Sequence, residues 1–552
     1  MQIKRWFSRV RALAQKYRVA LICLCFLVIL VTGLIPTADY GVSTDEPTQR
    51  KHSLITYRYV YTTLTGKPLD IDMPDLEDYR AKHYGTAIQM PLVFAEHLTS
   101  FTMPKSTIYL MRHYYTFMVY FASLVCFFFM CKILLKSDVF AMAATLMLYL
   151  YPRFFAHAHY NIKDLMFTAL FTITLFAMVL FLKYKRKWWL GLIFAFFTAL
   201  STNSRVIGVM VLCGCLCLML LEDIAAWLSA RRQKNIGALD YSLTLRRRLL
   251  SYVVAIVGFV AFYIFITPAT WSDPIRVFID TLSRFSSYDS WAGTMQFMGE
   301  MIRKPQMPWY FLPVWWLFTV PFIYLALMVV GIVFLVVRSF RPSPEGILTN
   351  RYIWLLFGFW FLPTAMVIIK PSTIYTEWRH VYFLFPLMVF LAVYGLQRLT
   401  AALAGSRFAR LRFVAPVLLG ASLLWQAVWM VCTHPHQNVY FNTLGRHYAS
   451  GMTRDSWKLC YKQMVEYILS NDPDDVNIFL PDSINEIQMV FFKDQAHRLR
   501  FLEGEKNLEK ADYIIYSFRN TVGNNYEVGG FEEIYAIWVD GFKIGTILQR
   551  VT

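Results

Sequence analysis

Asp45, Glu46 and Asp164 are the acidic residues whose setting could support chemistry. Asp45-Glu46-Pro47 follows the first long apolar run, and Asp164 closes His157-Ala-His159-Tyr-Asn161-Ile-Lys163-Asp164 before another. Charge next to a bilayer is costly and usually faces a cavity or a partner. A carboxylate there can take a proton from an attacking hydroxyl. Cations can hold a leaving phosphate and stabilise its growing charge. Lys163, Arg205, Arg379 and His380 stand at comparable helix junctions and are the candidates for that second task. Together these groups would suit a reaction on a lipid-phosphate substrate at a membrane surface.

Each residue also has a plainer explanation. Asp45 before Glu46-Pro47 could cap a helix, with Pro in its first turn. Asp164 could cap the helix that starts at Leu165. Arg379-His380 could anchor a helix at the headgroups. Shared placement on one membrane face is what favours chemistry.

That placement depends on the apolar runs. The chain of 552 residues is 57% hydrophobic, and its mean hydropathy of +0.42 excludes an ordinary soluble domain. Runs near 18–36, 108–135, 138–153, 164–182, 188–204, 206–228, 249–268, 309–337, 351–370, 381–399 and 413–432 are long enough to span. The net charge of +18 does not imply nucleic acid, because the basic residues cluster in alternate short loops. These clusters are the N-terminal Lys4, Arg5, Arg9 and Arg11; Lys132/Lys136; Lys183 to Lys187; Arg231 to Arg248; Arg338/Arg341/Arg351; and Arg398 to Arg412. The pattern predicts about eleven helices, a cytoplasmic N-terminus and an extracytoplasmic C-terminus. The N-terminus has the charge pattern of a signal peptide but no small-residue cleavage site, so an uncleaved first helix is expected. Cysteines such as Cys213, Cys215 and Cys217 lie within apolar runs and read as packing.

The outer face then receives residues 37–107, 153–164, 269–308 and 371–380. The first of these loops has amphipathic stretches near 48–64 and 84–101, suited to helices in the interface. Residues 433–552 are less apolar and read as a small α/β domain. A helix is expected at 455–469, strands at 476–480 and 511–516, and a hairpin of 534–539 and 542–548 turning on Asp540-Gly541.

Five motifs, in order, resemble the GT-C superfamily of integral-membrane glycosyltransferases, in particular the protein O-mannosyltransferase group (family 39) and its bacterial relatives. They are Asp45-Glu46-Pro47; Arg153 to Asp164; Pro308-Trp309-Tyr310-Phe-Leu-Pro313; Trp378-Arg379-His380 with Phe383 to Pro386; and His434 to Asn442. The sequence departs from the family at Leu165-Met166, Gly445-Arg446 and Asp455-Ser456-Trp457.

The resemblance implies a GT-C-type catalytic domain over 1–432, an extracytoplasmic domain over 433–552, and inverting transfer of a hexose or pentose from a polyprenyl-phosphate donor to a lipid, glycan or protein hydroxyl. It makes Asp45 the base. Glu46 and Asp164 would order the acceptor or a cation. Arg153, His157, Asn161, Lys163, Arg205, Arg379 and His380 would bind substrate. It requires no certain cofactor and leaves a divalent cation open. The alternative is a transporter or flippase for a lipid-linked or small anionic substrate. That would call for related halves and broken helices meeting at the midplane, and neither is evident in the sequence. A ligase of lipid-linked glycans would differ only in acceptor, and a scaffold would leave the carboxylates unexplained.

Overall fold

A computed structural model describes residues 15–232, 239, 242–286, 293–303, 306–340, 346–369, 374, 376–481, 491 and 495–551. Lys4, Arg5, Arg9, Arg11, Lys234, Arg341 and Tyr375 lie outside these described residues.

Apolar runs become helices because a bilayer offers no partner for backbone N–H and C=O groups. Nine described helices are long and apolar enough to cross a membrane, and a bent pair makes ten. Trp188–Ser204 adds a shorter apolar helix of 17 residues, packed between Asp164–Lys183 and Leu245–Ile266. Asp164–Lys183 is the central span. Its apolar stretch is 89% buried, against 22% for Leu245–Ile266. The residue that begins the central helix is therefore enclosed by neighbours.

Two expected spans are broken, each at a proline. The 138–153 run forms Asp138–Tyr149, then turns through 66° into Pro152–Tyr160. Pro152 pushes Tyr151 into an extended conformation and opens a new helix. The expected outer loop 153–164 is thus corrected: most of it is this second helix, buried from end to end. The 309–337 run likewise divides into Phe311–Thr319 and Phe322–Ser339 around extended Val320 and Pro321. The freed carbonyls of Leu317 and Val320 are taken up by the Asn442 amide, at 2.6 and 2.8 Å. Gly445 lies against the same break, where a Cβ would stand 2.2 Å from the Phe318 carbonyl oxygen.

Both amphipathic stretches of the first loop are helical, as Glu46–Thr65 and Met90–Leu98. Gly66 ends the first with a left-handed C-cap. The loop docks closely at Gly85, where a Cβ would meet the Asn203 carbonyl oxygen at 1.8 Å. A small hairpin, β1 (Thr294–Phe297) and β2 (Glu300–Arg303), lies in the 269–308 loop.

The C-terminal region carries β3 (Val476–Phe479), β4 (Leu499–Leu502), β5 (Tyr513–Ser517), β6 (Phe531–Val539) and β7 (Phe542–Arg550). Their order is β4-β3-β5-β7-β6. β3 runs parallel to β4 and β5, and the β5–β7 and β6–β7 pairs are antiparallel. The β6–β7 turn uses Asp540 and Gly541, both with positive φ, as expected. The helix expected at 455–469 starts later, at Cys460, because the Asp455 carboxylate accepts the N–H groups of Leu459 and Cys460. This region packs onto the bundle end that carries Asp45. Lys462 donates to the Ala38 carbonyl at 2.8 Å, and Trp429 donates to Asp540 at 2.9 Å.

Candidate active site

Four chain segments converge at this end of the bundle. Asp45 precedes Glu46–Thr65 but makes no capping bond with its side chain. Asp164 begins the central helix, yet the cap there is Asn161, whose side-chain oxygen accepts the Asp164 N–H at 2.8 Å. Neither carboxylate is spent on helix capping. Both turn toward arginines.

Arg379 Nη1 lies 3.0 Å from Asp45 Oδ2 and 3.7 Å from Asp164 Oδ2, so one guanidinium bridges the two acids. Arg205, at the junction of Trp188–Ser204 and Val206–Arg231, pairs with the other Asp164 oxygen. Helix direction explains the convergence. Asp164–Lys183 leaves this face, Trp188–Ser204 returns to it, and Arg379–Ala404 starts from it. Helix Arg379–Ala404 is seated by a close crossing with Phe322–Ser339. A Cβ on Gly331 would stand 2.1 Å from the Leu391 oxygen, and one on Gly395 2.2 Å from the Leu327 oxygen.

Aromatic rings support the cations. The Arg379 guanidinium lies 4.5 Å from the Trp457 ring centre. Lys163 Nζ lies 4.4 Å from the Tyr84 ring, which stacks in turn on His52 at 5.4 Å. Burial opposes charge on Asp45, but the Arg379 and Lys163 charges outweigh it and hold the carboxyl below the usual range. Burial, then Lys163 and Lys51, pulls His52 down to about 4, so it is neutral at pH 7. Among the described residues Arg379, Arg205 and Lys163 gather around Asp45 and Asp164, and such positive charge suits an incoming anion.

Other expected residues sit in the wall around this cluster. Glu46 accepts the Ser43 N–H at 2.6 Å and lies 3.0 Å from His113. Arg153 is fully buried, pairs with Glu377 and donates to the Tyr440 carbonyl at 2.8 Å. His157 lies between Asn161, at 3.1 Å, and the Tyr382 hydroxyl, at 3.2 Å. His380 is half-buried directly after Arg379. Trp457, Tyr84, His52, Tyr382 and Glu377 complete the surroundings. Glu377 accepts from Ser456 at 2.6 Å, which ties the C-terminal region to the Arg379 turn. Trp457 lies in Asp455-Ser456-Trp457 and Glu377 precedes Trp378-Arg379-His380, but nothing local to either stretch indicates that the two come together.

Among the described residues, Asp45 and Asp164 as paired here do not form a divalent-cation site. Among the described residues no group of three His, Cys, Asp or Glu side chains converges. The two carboxylates already share two guanidiniums, whereas a magnesium or calcium site uses anionic oxygens freed of such partners.

The chain is similar in structure to solved glycosyltransferases. An oligosaccharyltransferase from Archaeoglobus fulgidus matches at 10% identity over 88% of this chain and 67% of its own, with a TM-score of 0.42. The arabinofuranosyltransferase AftD from Mycobacteria matches at 12% identity over 96% of this chain but 40% of its own, with a TM-score of 0.36. A second structure of that enzyme gives 12%, 95%, 41% and 0.37. No protein-family model and no curated protein sequence matches.

Proposed function

We propose that this protein is a GT-C-type glycosyltransferase that moves a sugar from a polyprenyl-phosphate donor to an acceptor hydroxyl at the non-cytoplasmic membrane face. The observation that supports it most is the Arg379 bridge between Asp45 and Asp164, with Arg205 and Lys163 beside it. Donor phosphate would draw on Arg379, Arg205 and Lys163. Arginine offers a planar fork matched to phosphate oxygens. As Arg379 turned to the phosphate, its hold on Asp45 would loosen and the carboxylate would recover basicity.

The acceptor oxygen would then attack the anomeric carbon, and the bond from that carbon to the phosphate oxygen would break. Asp45 takes the hydroxyl proton. The phosphate keeps the bonding electron pair, stabilised by the arginines. Attack from the side opposite the leaving group inverts the sugar. Asp164 would hold Arg205 and Arg379 in position, and Asn161, His157 and Tyr382 would hold Asp164. Glu46 would fix the start of its helix through Ser43 and His113, and Arg153 would fix the Glu377 turn. Basic clusters at the opposite helix ends support a cytoplasmic N-terminus and an extracytoplasmic C-terminal region.

The test is turnover by purified protein with a panel of radiolabelled polyprenyl-phosphate sugars and candidate acceptors. The expected result is sugar transfer with release of polyprenyl phosphate. Movement of intact donor across proteoliposomes without bond cleavage would establish the transporter instead.

A further inference from the structure

A second charged site lies at the other end of the central helix, about 30 Å away at 1.5 Å per residue. There a cavity of about 300 Å³ is lined by Lys183, Lys185, Arg186, Arg248, Arg351 and Glu222. Arg186 is buried and binds Glu222 at 2.9 Å and Asp223 at 2.9 and 3.0 Å. Arg248 shares Asp223, and Arg351 shares Glu222. Among the described residues three arginines therefore divide two carboxylates, and at the rim Lys183 donates to the Ile133 carbonyl at 2.8 Å and Lys185 to the Ser242 hydroxyl at 3.3 Å.

Two further observations point to a ligand. Lys185 and Arg186 are consecutive non-glycine residues in the left-handed region, with φ of 58° and 49°. That conformation is unfavourable for L-residues and collects at functional sites. Here it turns Arg186 inward while Lys185 stays exposed. Trp188 and Trp189 follow, 57% and 46% exposed. Exposed tryptophans are typical of headgroup depth. Basic pockets between spans at this depth suit the phosphates of acidic lipids.

We propose that this cavity binds a phosphate group, delivered by the headgroup of an anionic membrane phospholipid. The guanidiniums of Arg248 and Arg351 and the two lysines would face its oxygens, and Glu222 and Asp223 would hold the arginines in place. The site is separate from the catalytic cluster and does not depend on the sugar-transfer reading.

Native mass spectrometry of the delipidated full chain tests this, with phosphatidylglycerol, phosphatidylcholine and inorganic phosphate as probes. Phosphatidylglycerol should bind roughly tenfold more tightly than phosphatidylcholine. Lys183→Gln with Lys185→Asn should remove most of that preference at an unchanged thermal midpoint. Asparagine tolerates the left-handed conformation. If the double variant does not fold, Lys185→Asn alone, at an exposed position, should still lower the preference severalfold. Equal retention of both lipids, or full preference in a folded variant, would overturn the proposal. Inorganic phosphate that displaced the lipid at equal concentration would assign the site to a free anion and overturn the lipid source.

Discussion

Two arginine–carboxylate networks stand at the same end of the bundle, and they differ in what they leave open. In the first loop, Glu96 accepts from Arg50 at 2.6 Å and pairs with Arg112 at 3.2 Å. Glu96 and Arg112 are 0% and 1% exposed, and the Gln89 side-chain oxygen takes another Arg112 donor at 3.1 Å. The second network joins Asp45, Asp164, Arg205 and Arg379. Its Asp45 side chain is 33% exposed, and Lys163 lies beside it. The same groups serve two purposes. A closed, buried network fixes one helix against another, whereas one open to solvent leaves a carboxylate within reach of an acceptor and positive charge within reach of an anion.

The contrast is broken most sharply at Asp45. Asp45→Asn keeps the shape and removes the proton acceptor, so transfer should fall by roughly 10²–10⁴ while the thermal midpoint stays near the parent's. A folded variant with parental turnover would place the base elsewhere. Glu96→Gln should do the reverse. It leaves Arg112 buried without its counter-charge, which typically costs about 3–5 kcal/mol. Thermal unfolding in detergent should show a large drop, and surviving protein should still turn over. An unchanged midpoint would mean that the first-loop network is not the fixed one.

Much of this was legible in the sequence, and the rest was not for identifiable reasons. Alternation of apolar runs and basic clusters puts Asp45, Asp164, Arg205 and Arg379 at like ends of helices, where the structure joins the four side chains. Pro152 and Pro321 were visible, but averaging hydropathy over about twenty residues hides a single break inside an apolar run. The Asn442 contacts were invisible because they repair a break 122 residues away. Trp457 is visible in the sequence, but its place over Arg379 depends on how the C-terminal region docks. The β1–β2 hairpin turns on Met298 and Gly299, both at positive φ, and methionine there carries no turn signal.

Arg379→Lys tests the open network by geometry rather than charge. Lysine keeps the cation but cannot span Asp45 and Asp164 or present a fork to phosphate. A hydrogen bond to a charged group contributes about 1.5–3 kcal/mol, so donor KM should rise roughly tenfold or more with acceptor KM nearly constant. Equal changes in both would argue against a phosphate contact. Trp457→Ala is the milder version. Trp457 and Arg379 are both buried, and a desolvated cation–π contact is worth about 2 kcal/mol, so turnover should fall roughly tenfold. Trp457→Phe should restore part of it if the ring acts by holding Arg379.

The smallest expected effect is on the acid side of the pH profile. Burial alone would raise the Asp45 carboxyl, but Arg379 and then Lys163 hold it below the usual range near 4. A depressed carboxyl stays ionised as pH falls. The contribution of the Asp45–Arg379 pair to stability is therefore fully present above about pH 4, and it is lost only as pH drops through the lowered value. His52 is already neutral, and it gains a proton only near pH 4. The profile of kcat/KM against pH should thus be flat from pH 7 down to roughly pH 5, since free-enzyme ionisations govern that ratio. An acid limb with a midpoint near 6 would show that the reaction waits on a group with an ordinary histidine-like pKa. Asp45 would then not be the base, and the openness of its network would need a different explanation.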